Sequence, residues 1–551
     1  MSDPSGSIPR RPPTTAELNA IQGALRAGNM PLALALAGRA AAQGAEHAPL
    51  LTLAAHDSLN RGRLEQALAY AARARVLAPH DAEVLHVSGL TLSAAGRLKE
   101  ALAAFDAALR RAPGSANLHY GKGCVYEKSG DNARARACFE RAVALEPAHG
   151  MALSRLAGLA IERGDVAAAR AYGEHALRLI PGEPASLLAL AFADVEDKKF
   201  SDALTRLTPL IASWRGVNRA IAQGLCGDAL DGLGRRREAF QAYTAGNDTM
   251  RALNRAFYEV PGQPGACDLV EELVRYFRDA PAEAWRARKS GTAGRTHVFL
   301  VGFPRSGTTL LEQVLAAHPD VESMEERLCF TEAEDEFLSP QGLDRLASLS
   351  GEELEPWREN YWRHVAENGA MPSRQVFIDK LPLNSVLLCL IAKLFPDAKI
   401  LFALRDPADV VWSCFRRRFG MSAQMYELLG LRQAARYYDA VMTLAALYRD
   451  KLGLPIHDVV YEKMVADFAG ETDKVCAFLG LDRHEAMAGF AAVSRQRSPN
   501  TPSGTQVSRG LYRTAVGQWR AYGAELEPVL PLLAPWRLRF GYQEESHAPQ
   551  P

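Results

Sequence analysis

Gly302-Phe303-Pro304-Arg305-Ser306-Gly307-Thr308-Thr309-Leu310-Leu311 joins two segments of different period, and that junction decides the fold of the second half of the chain. The run before it, His297-Val298-Phe299-Leu300-Val301, has the length and the β-branched and aromatic content of a buried strand. The run after it, Thr308 to His318, carries Leu310, Leu311, Val314 and Leu315 on one helical face. Strand, glycine turn and helix in that order bring first-turn N–H groups and the positive end of a helix dipole to one spot. The natural occupant is an anion.

The spacing is that of the phosphate loop G-x-x-x-x-G-K-[ST], except that Thr308 stands at the lysine position and Arg305 lies inside the loop. Without a lysine for the β- and γ-phosphates, the loop argues against ordinary ATP or GTP hydrolysis. A second strand-to-helix junction supports an anionic ligand. After Lys399-Ile400-Leu401-Phe402-Ala403-Leu404 come Arg405, Asp406 and Pro407, then a helical segment through about Phe419. Asp406 can cap that helix and Pro407 suits its first turn. Arg405 falls at the carboxyl end of a strand, where open α/β sheets bind ligands, with Ser413 eight residues further on. A strand ending in a guanidinium fits a second phosphate, with no metal.

With these residues in place, 295–542 resembles sulfotransferases that use 3′-phosphoadenosine 5′-phosphosulfate (PAPS), nearest in motif arrangement to the protein-tyrosine sulfotransferases. The resemblance implies that Arg305, Ser306, Gly307, Thr308 and Thr309 bind the 5′-phosphosulfate, that Arg405 and Ser413 bind the 3′-phosphate, and that Arg417 also touches the cofactor. In His318-Pro319-Asp320-Val321-Glu322-Ser323-Met324-Glu325-Glu326, gapless register from Arg305 puts Glu326 on the family's catalytic base, with Glu325 as the alternative. Such a base is needed because a hydroxyl is a weak nucleophile until its proton is being removed. His318, before a proline at a helix end, is expected to pack or cap.

Charge grows on the bridging oxygen as the donor's S–O bond breaks, and a fixed cation stabilises it. Phe377-Ile378-Asp379-Lys380-Leu381-Pro382 resembles the family's strand-end lysine, which makes Lys380 the candidate. By the same resemblance Tyr461, in Val459-Val460-Tyr461-Glu462, contacts the cofactor. The stretch Ser503 to Gly510 with Gly517-Gln518-Trp519 corresponds to the loop that closes over it; Ser503 takes the position of a serine assigned to transition-state stabilisation, and Arg509 could add charge at the 3′-phosphate. Gln518 departs from the family, where a lysine precedes the tryptophan.

The first half has another grammar. Glycines recur at 28, 62, 96, 130 and 164, alanines at 33, 67, 101, 135, 169 and 203, and prolines at 79, 113, 147 and 181, all in steps of 34 residues. That is the tetratricopeptide signature of two helices per unit: the glycine ends the first helix, the alanine admits close helix approach, and the proline closes the unit. Residues 219–246, with Gly234 and Ala239 at the same offset, look like a further repeat shifted by an insertion. Stacked units form a superhelix whose concave face suits peptide or protein segments.

Length and composition agree with two cores in 551 residues. The expected organisation is a tetratricopeptide α-solenoid over 14–250, a helical connector and linker over 251–293, an α/β sulfotransferase domain with a parallel central sheet over 294–542, and a disordered tail over 543–551. A formal charge of zero provides no field for nucleic acid. Eight scattered cysteines without C-x-x-C spacing suit a reducing compartment, and the absence of an apolar signal core or an 18-residue apolar run suits a cytoplasmic protein without membrane contact. The expected function is PAPS-dependent sulfuryl transfer to a hydroxyl of a peptide, protein or glycan, protein tyrosine included, with the repeats recruiting the acceptor. The alternatives are a repeat scaffold with a non-catalytic nucleotide domain, favoured by Gln518, and a P-loop kinase, opposed by the missing lysine.

Overall fold

Residues 9–286, 294–497, 510–511 and 515–542 are described by the structure, a computed structural model. The chain divides into two compact units, Met1–Ile161 with Val166–Leu190, and Glu162–Asp165 with Ala191–Pro551. The first unit consists of antiparallel helical pairs such as Ala48–Asn60 with Leu64–Leu77 and Ala82–Ala94 with Leu98–Arg111. Gly28, Gly62, Gly96, Gly130 and Gly164 take φ between 66° and 76°, the left-handed turn that ends one helix and starts the next. The periodic alanines at 33, 67, 101, 135 and 169 have no exposed surface, as close helix contact requires. Asp81 and Ser115 cap the helices that follow the prolines, accepting from Val84 N at 2.9 Å and Leu118 N at 3.4 Å.

The second unit holds a five-stranded, all-parallel sheet: β1 (Thr296–Gly302), β2 (Val321–Glu325), β3 (Val376–Lys380), β4 (Lys399–Leu404) and β5 (Ile456–Val460), in the order β2-β3-β1-β4-β5. Helices cover it, so β1 is apolar on both faces, and Val298 to Val301 and Phe303 have no exposed surface. From β1 the chain crosses β3 to reach β2, whereas β4 and β5 lie on the other side, which makes β1 the point where the winding reverses. Ligand sites of such sheets lie there, beyond the carboxyl ends of the strands. Register aligns those ends: Glu325 pairs with Lys380, Lys380 with Leu300, Gly302 with Ala403 and Leu404 with Val460.

The second unit also contains the helices Gly216–Gly232 and Arg236–Tyr258, with Gly234 in the left-handed turn between them and Ala239 fully buried. They pack on the helix Pro407–Arg416 that follows β4. Phe240 stacks on Phe415 and Trp412 (ring centroids 5.5 and 6.2 Å), Tyr243 meets Trp412 edge-on at 5.9 Å, and Asn247 Nδ2 donates to the Phe415 carbonyl at 2.9 Å. Asp231 pairs with Arg236 and with Arg416 (3.6 Å) and accepts from the Tyr522 hydroxyl. Arg416 therefore turns inward, and of the consecutive Arg416, Arg417 and Arg418, whose sequence reads as one phosphate ligand plus a solvated helix end, only Arg418 is exposed. The helix also stops at Arg416 instead of about Phe419, because Arg417 turns extended (φ −97°, ψ 146°).

All but Gly294 of the expected linker Lys289 to Gly294, the Ser503 and Arg509 of the expected closing loop, and the tail 543–551 lie outside the described residues. Among the described residues no helix is long and apolar enough to cross a membrane.

Candidate functional site

The glycine loop from Gly302 to Gly307 closes between β1 and the helix Thr308–Ala316, whose N-cap is Gly307 at φ 98°. A Cβ there would lie 2.8 Å from Cδ2 of Tyr461, so glycine is required by conformation and by space. A Cβ on Gly302 would lie 2.6 Å from the Ala403 carbonyl, so the loop starts hard against β4. Ser385 Oγ, fully buried, donates to the Gly302 carbonyl at 2.9 Å and pins that start. Arg305 takes φ 72°, a left-handed conformation that costs a side-chain-bearing residue about 1–3 kcal/mol and is kept where surroundings impose it. Gly307→Ala is expected to cost about 1–2 kcal/mol from the backbone alone and to displace Tyr461; a lower Tm would check it.

The sequence expected one apolar helix face after this loop. The structure instead buries every residue from Thr308 to Leu315, Glu312 and Gln313 included. Sheet, β2 and the later helices enclose the segment on all sides, which a single-face pattern does not reveal.

Arg305 Nε donates to Ser413 Oγ at 3.0 Å. Arg405 donates to the Arg305 carbonyl at 3.2 Å and to the Ala515 carbonyl at 2.5 Å, and its guanidinium lies 5.1 Å from the Tyr461 ring centroid. Arg305, Gly307, Arg405, Ser413 and Tyr461, spread over more than 150 residues of sequence, are thus gathered at one place. Ser306, Thr308 and Thr309 are buried beside them in the loop and first helical turn, where amide groups lack intrahelical acceptors. Among the described residues, Nε of Arg405 and Nε of Arg417 are buried with no hydrogen-bond partner. Burial first, then the charges of Arg417 and Arg405, push the Arg305 guanidinium down to about 9. Arg417 is held below its ordinary value by burial and then by Arg416. Three guanidinium groups crowded beside a helix N-terminus, each disfavouring the charge of the next, make a place that suits an anion.

Asp409 ties this region to the chain's end, a role the sequence did not disclose. Its carboxylate accepts from Gly517 N at 2.6 Å and Trp519 N at 2.9 Å and lies 3.8 Å from Arg405. Burial raises its pKa, with Arg405 and the two amides opposing. Gln518 sits between those two amides, at the start of the turn Gln518–Tyr522. His318 is buried, its Nδ1 accepting from Asp320 N at 3.1 Å and its Nε2 lying 3.0 Å from the Asp482 carbonyl.

Beyond the ends of β2 and β3, Lys380 has no exposed surface and its Nζ lies among three carboxylates. Glu326 Oε1 is at 2.8 Å, Glu325 Oε1 at 3.5 Å and Glu312 Oε2 at 3.5 Å. Burial would lower the ammonium's pKa, but Glu312, Glu326 and Glu325 together outweigh it and hold it above its ordinary value. Glu326 is left-handed (φ 43°), fixed by its own N–H donating to the Lys380 carbonyl at 2.8 Å. Both Glu325 and Glu326 line a cavity of about 360 Å³ with Ser323, Arg327 and Asn368 to Ala370. A carboxylate facing a cavity, backed by a buried ammonium, can take a proton from a hydroxyl placed there while the ammonium serves a leaving anion. Among the described residues no group of three or more His, Cys, Asp or Glu is arranged to hold a metal ion.

Residues 297–485 match the family model described as "Sulfotransferase family", and residues 52–116 and 120–184 match "Tetratricopeptide repeat". The chain therefore carries a sulfotransferase-family domain behind tetratricopeptide repeats. It is similar to an uncharacterized protein of Aquifex aeolicus (strain VF5), 25% identical over 48% of this chain and 35% of that one. It is 26% identical to protein-tyrosine sulfotransferase 1 of Danio rerio over 46% of this chain and 74% of the relative. With the protein-tyrosine sulfotransferase of Drosophila melanogaster it shares 26% identity over 38% of this chain and 42% of the relative. The first and third matches thus span less than half of those relatives' length.

Proposed function

We propose that this chain transfers the sulfuryl group of PAPS to an acceptor hydroxyl, and that a protein or peptide tyrosine is the acceptor class to test first, since the named relatives are protein-tyrosine sulfotransferases. The observation that carries the donor assignment is the pair of buried Nε groups on Arg405 and Arg417, without a hydrogen-bond partner among the described residues, beside the loop of Arg305. PAPS bears phosphate at two separated positions. In this reading Arg305 to Thr309 hold the 5′-phosphosulfate, and Arg405, Ser413 and Arg417 hold the 3′-phosphate. Tyr461 lies against the loop and packs on Arg405. Ser503 and Arg509 are assigned to the closing loop. No metal is needed, since the guanidinium groups and Lys380 supply the positive charge.

PAPS supplies an activated sulfuryl group with a phosphate leaving group. Glu326 accepts the acceptor's hydroxyl proton as the new O–S bond forms, and Lys380 meets the electron pair left on the bridging oxygen when the old S–O bond breaks. The cavity walled by Glu325 and Glu326 admits the acceptor. Repeats over 14–250 recruit it, the connector spans 251–293, and the transferase domain spans 294–542. A cytoplasmic setting belongs to this proposal, and the eight cysteines are all unpaired.

Incubation with sulfur-labelled PAPS and a panel comprising a tyrosine peptide, a small phenol and an oligosaccharide tests the proposal. Label in one acceptor is expected. Failure to label any of them, together with no thermal stabilisation by adenosine 3′,5′-bisphosphate, would sink it. Arg405→Ala is expected to weaken that nucleotide by about 10- to 150-fold, the worth of roughly 1.5–3 kcal/mol for a charge-assisted contact, measurable by calorimetry.

A further inference from the structure

Proton transfer to Glu326 removes the charge that lies nearest Lys380, and the structure holds a third acid that this chemistry has not yet used. Glu312 stands on the helix after the phosphate loop and has no exposed surface. Its Oε1 accepts from Ser323 Oγ at 2.9 Å, and its Oε2 lies 3.5 Å from Lys380 Nζ. Glu325 and Glu326 approach the ammonium from the cavity side, with 22% and 35% of their side-chain surface exposed. Glu312 approaches from inside. Asp379, the neighbour of Lys380 on β3, turns instead to the Tyr361 hydroxyl at 2.9 Å.

Once Glu326 is a neutral acid, the Lys380 ammonium depends on the remaining carboxylates. Glu325 shares the cavity with the acceptor and with water, so its compensation is screened. Glu312 is dry and held by Ser323. A buried ammonium without such a partner reverts to the amine, which carries no charge for a leaving anion.

We propose that Glu312 is a positioning residue that holds Lys380 in place and charged from the core side while Glu326 takes up the acceptor's proton. This role rests on the sulfotransfer reading. The new O–S bond, the broken S–O bond and the proton's arrival on Glu326 are as given above; Glu312 exchanges nothing and touches neither substrate.

The test compares the full chain with Glu312→Gln in steady-state sulfuryl transfer across pH. Expected is a kcat lower by roughly 10- to 100-fold, the scale of a misplaced catalytic group, with KM for PAPS and adenosine 3′,5′-bisphosphate affinity unchanged. The alkaline limb of the kcat profile should move to lower pH. The sign follows from the pairing: Glu312 helps hold the ammonium's pKa up, so without it the active protonated form is lost sooner as pH rises. Glu312→Asp should restore part of both. Ser323→Ala, which removes the hydrogen bond orienting Glu312, should shift kcat in the same direction by less, and it serves if Glu312→Gln fails to fold. A thermal-stability cycle of Glu312→Gln, Lys380→Met and the double variant needs no turnover; non-additive costs are expected, and simple additivity overturns the pairing. Transfer by the unaltered chain with Glu312→Gln equal to it in kcat and alkaline limb overturns this inference alone. No transfer by the unaltered chain overturns the function reading and this role with it.

Discussion

Glu326→Gln is expected to lower kcat by about 100- to 10,000-fold, the usual worth of a positioned general base, while adenosine 3′,5′-bisphosphate binds with unchanged affinity. Glutamine has the shape of glutamate and its amide oxygen can still accept from Lys380 Nζ, now 2.8 Å from Glu326 Oε1. The left-handed backbone, held by the bond from Glu326 N to the Lys380 carbonyl, does not depend on the carboxylate. What is lost is the capacity to accept a proton, together with the charge Glu326 sets against Lys380, which Glu312 and Glu325 still oppose. Single-turnover transfer alongside calorimetry separates the two effects. Turnover equal to the unaltered chain would move the base to Glu325, the other carboxylate that lines the cavity and lies 3.5 Å from the same ammonium.

Deletions that end on either side of the helices Gly216–Gly232 and Arg236–Tyr258 are expected to differ sharply. A chain starting at Glu183 keeps these helices and should fold and bind adenosine 3′,5′-bisphosphate. A chain starting at Glu259 loses them and should aggregate or bind no nucleotide. The cause is the support those helices give the Pro407–Arg416 helix, which carries Ser413 and leads into Arg417. Trp412, Phe415 and Tyr522 are each at most 3% exposed, and removal of Phe240 and Tyr243 uncovers part of that cluster. Burial of such side chains contributes about 1.5–3 kcal/mol each, against a net stability of about 5–15 kcal/mol for a typical domain. Loss of Asp231 also strips Arg416 and Tyr522 of their shared partner. Circular dichroism and calorimetry on both truncations check this; equal nucleotide binding by the two would show that the support is dispensable.

The parallel sheet, the glycine turn between β1 and its helix, and the repeats were legible because each is a local pattern. β4 runs over Lys399–Leu404, the run read as a strand, and Asp406 caps the next helix as its position before Pro407 suggested, accepting from Ala408 N at 2.9 Å. Glu312 was not legible. An acid among leucines and valines resembles the wet side of an amphipathic helix, and its burial follows from β2 and β3 folding over it. Asp409 was missed likewise, because its partners Gly517 and Trp519 lie more than 100 residues away.

By itself the sequence determined the two architectures and the chemical types available to them. Helix period, strand composition, left-handed glycines and capping residues act over a few residues, so contiguous sequence carries them. Tertiary structure alone decided which charges meet. It placed Lys380 among carboxylates from a helix and from the end of a neighbouring strand, bent Glu326 into a left-handed turn over the cavity, and set the helices over 216–258 against the arginine-bearing helix. Those relations depend on sheet register and on packing between residues tens to hundreds of positions apart. Coulomb energy depends on distance and burial in space, and neither is written in spacing along the chain.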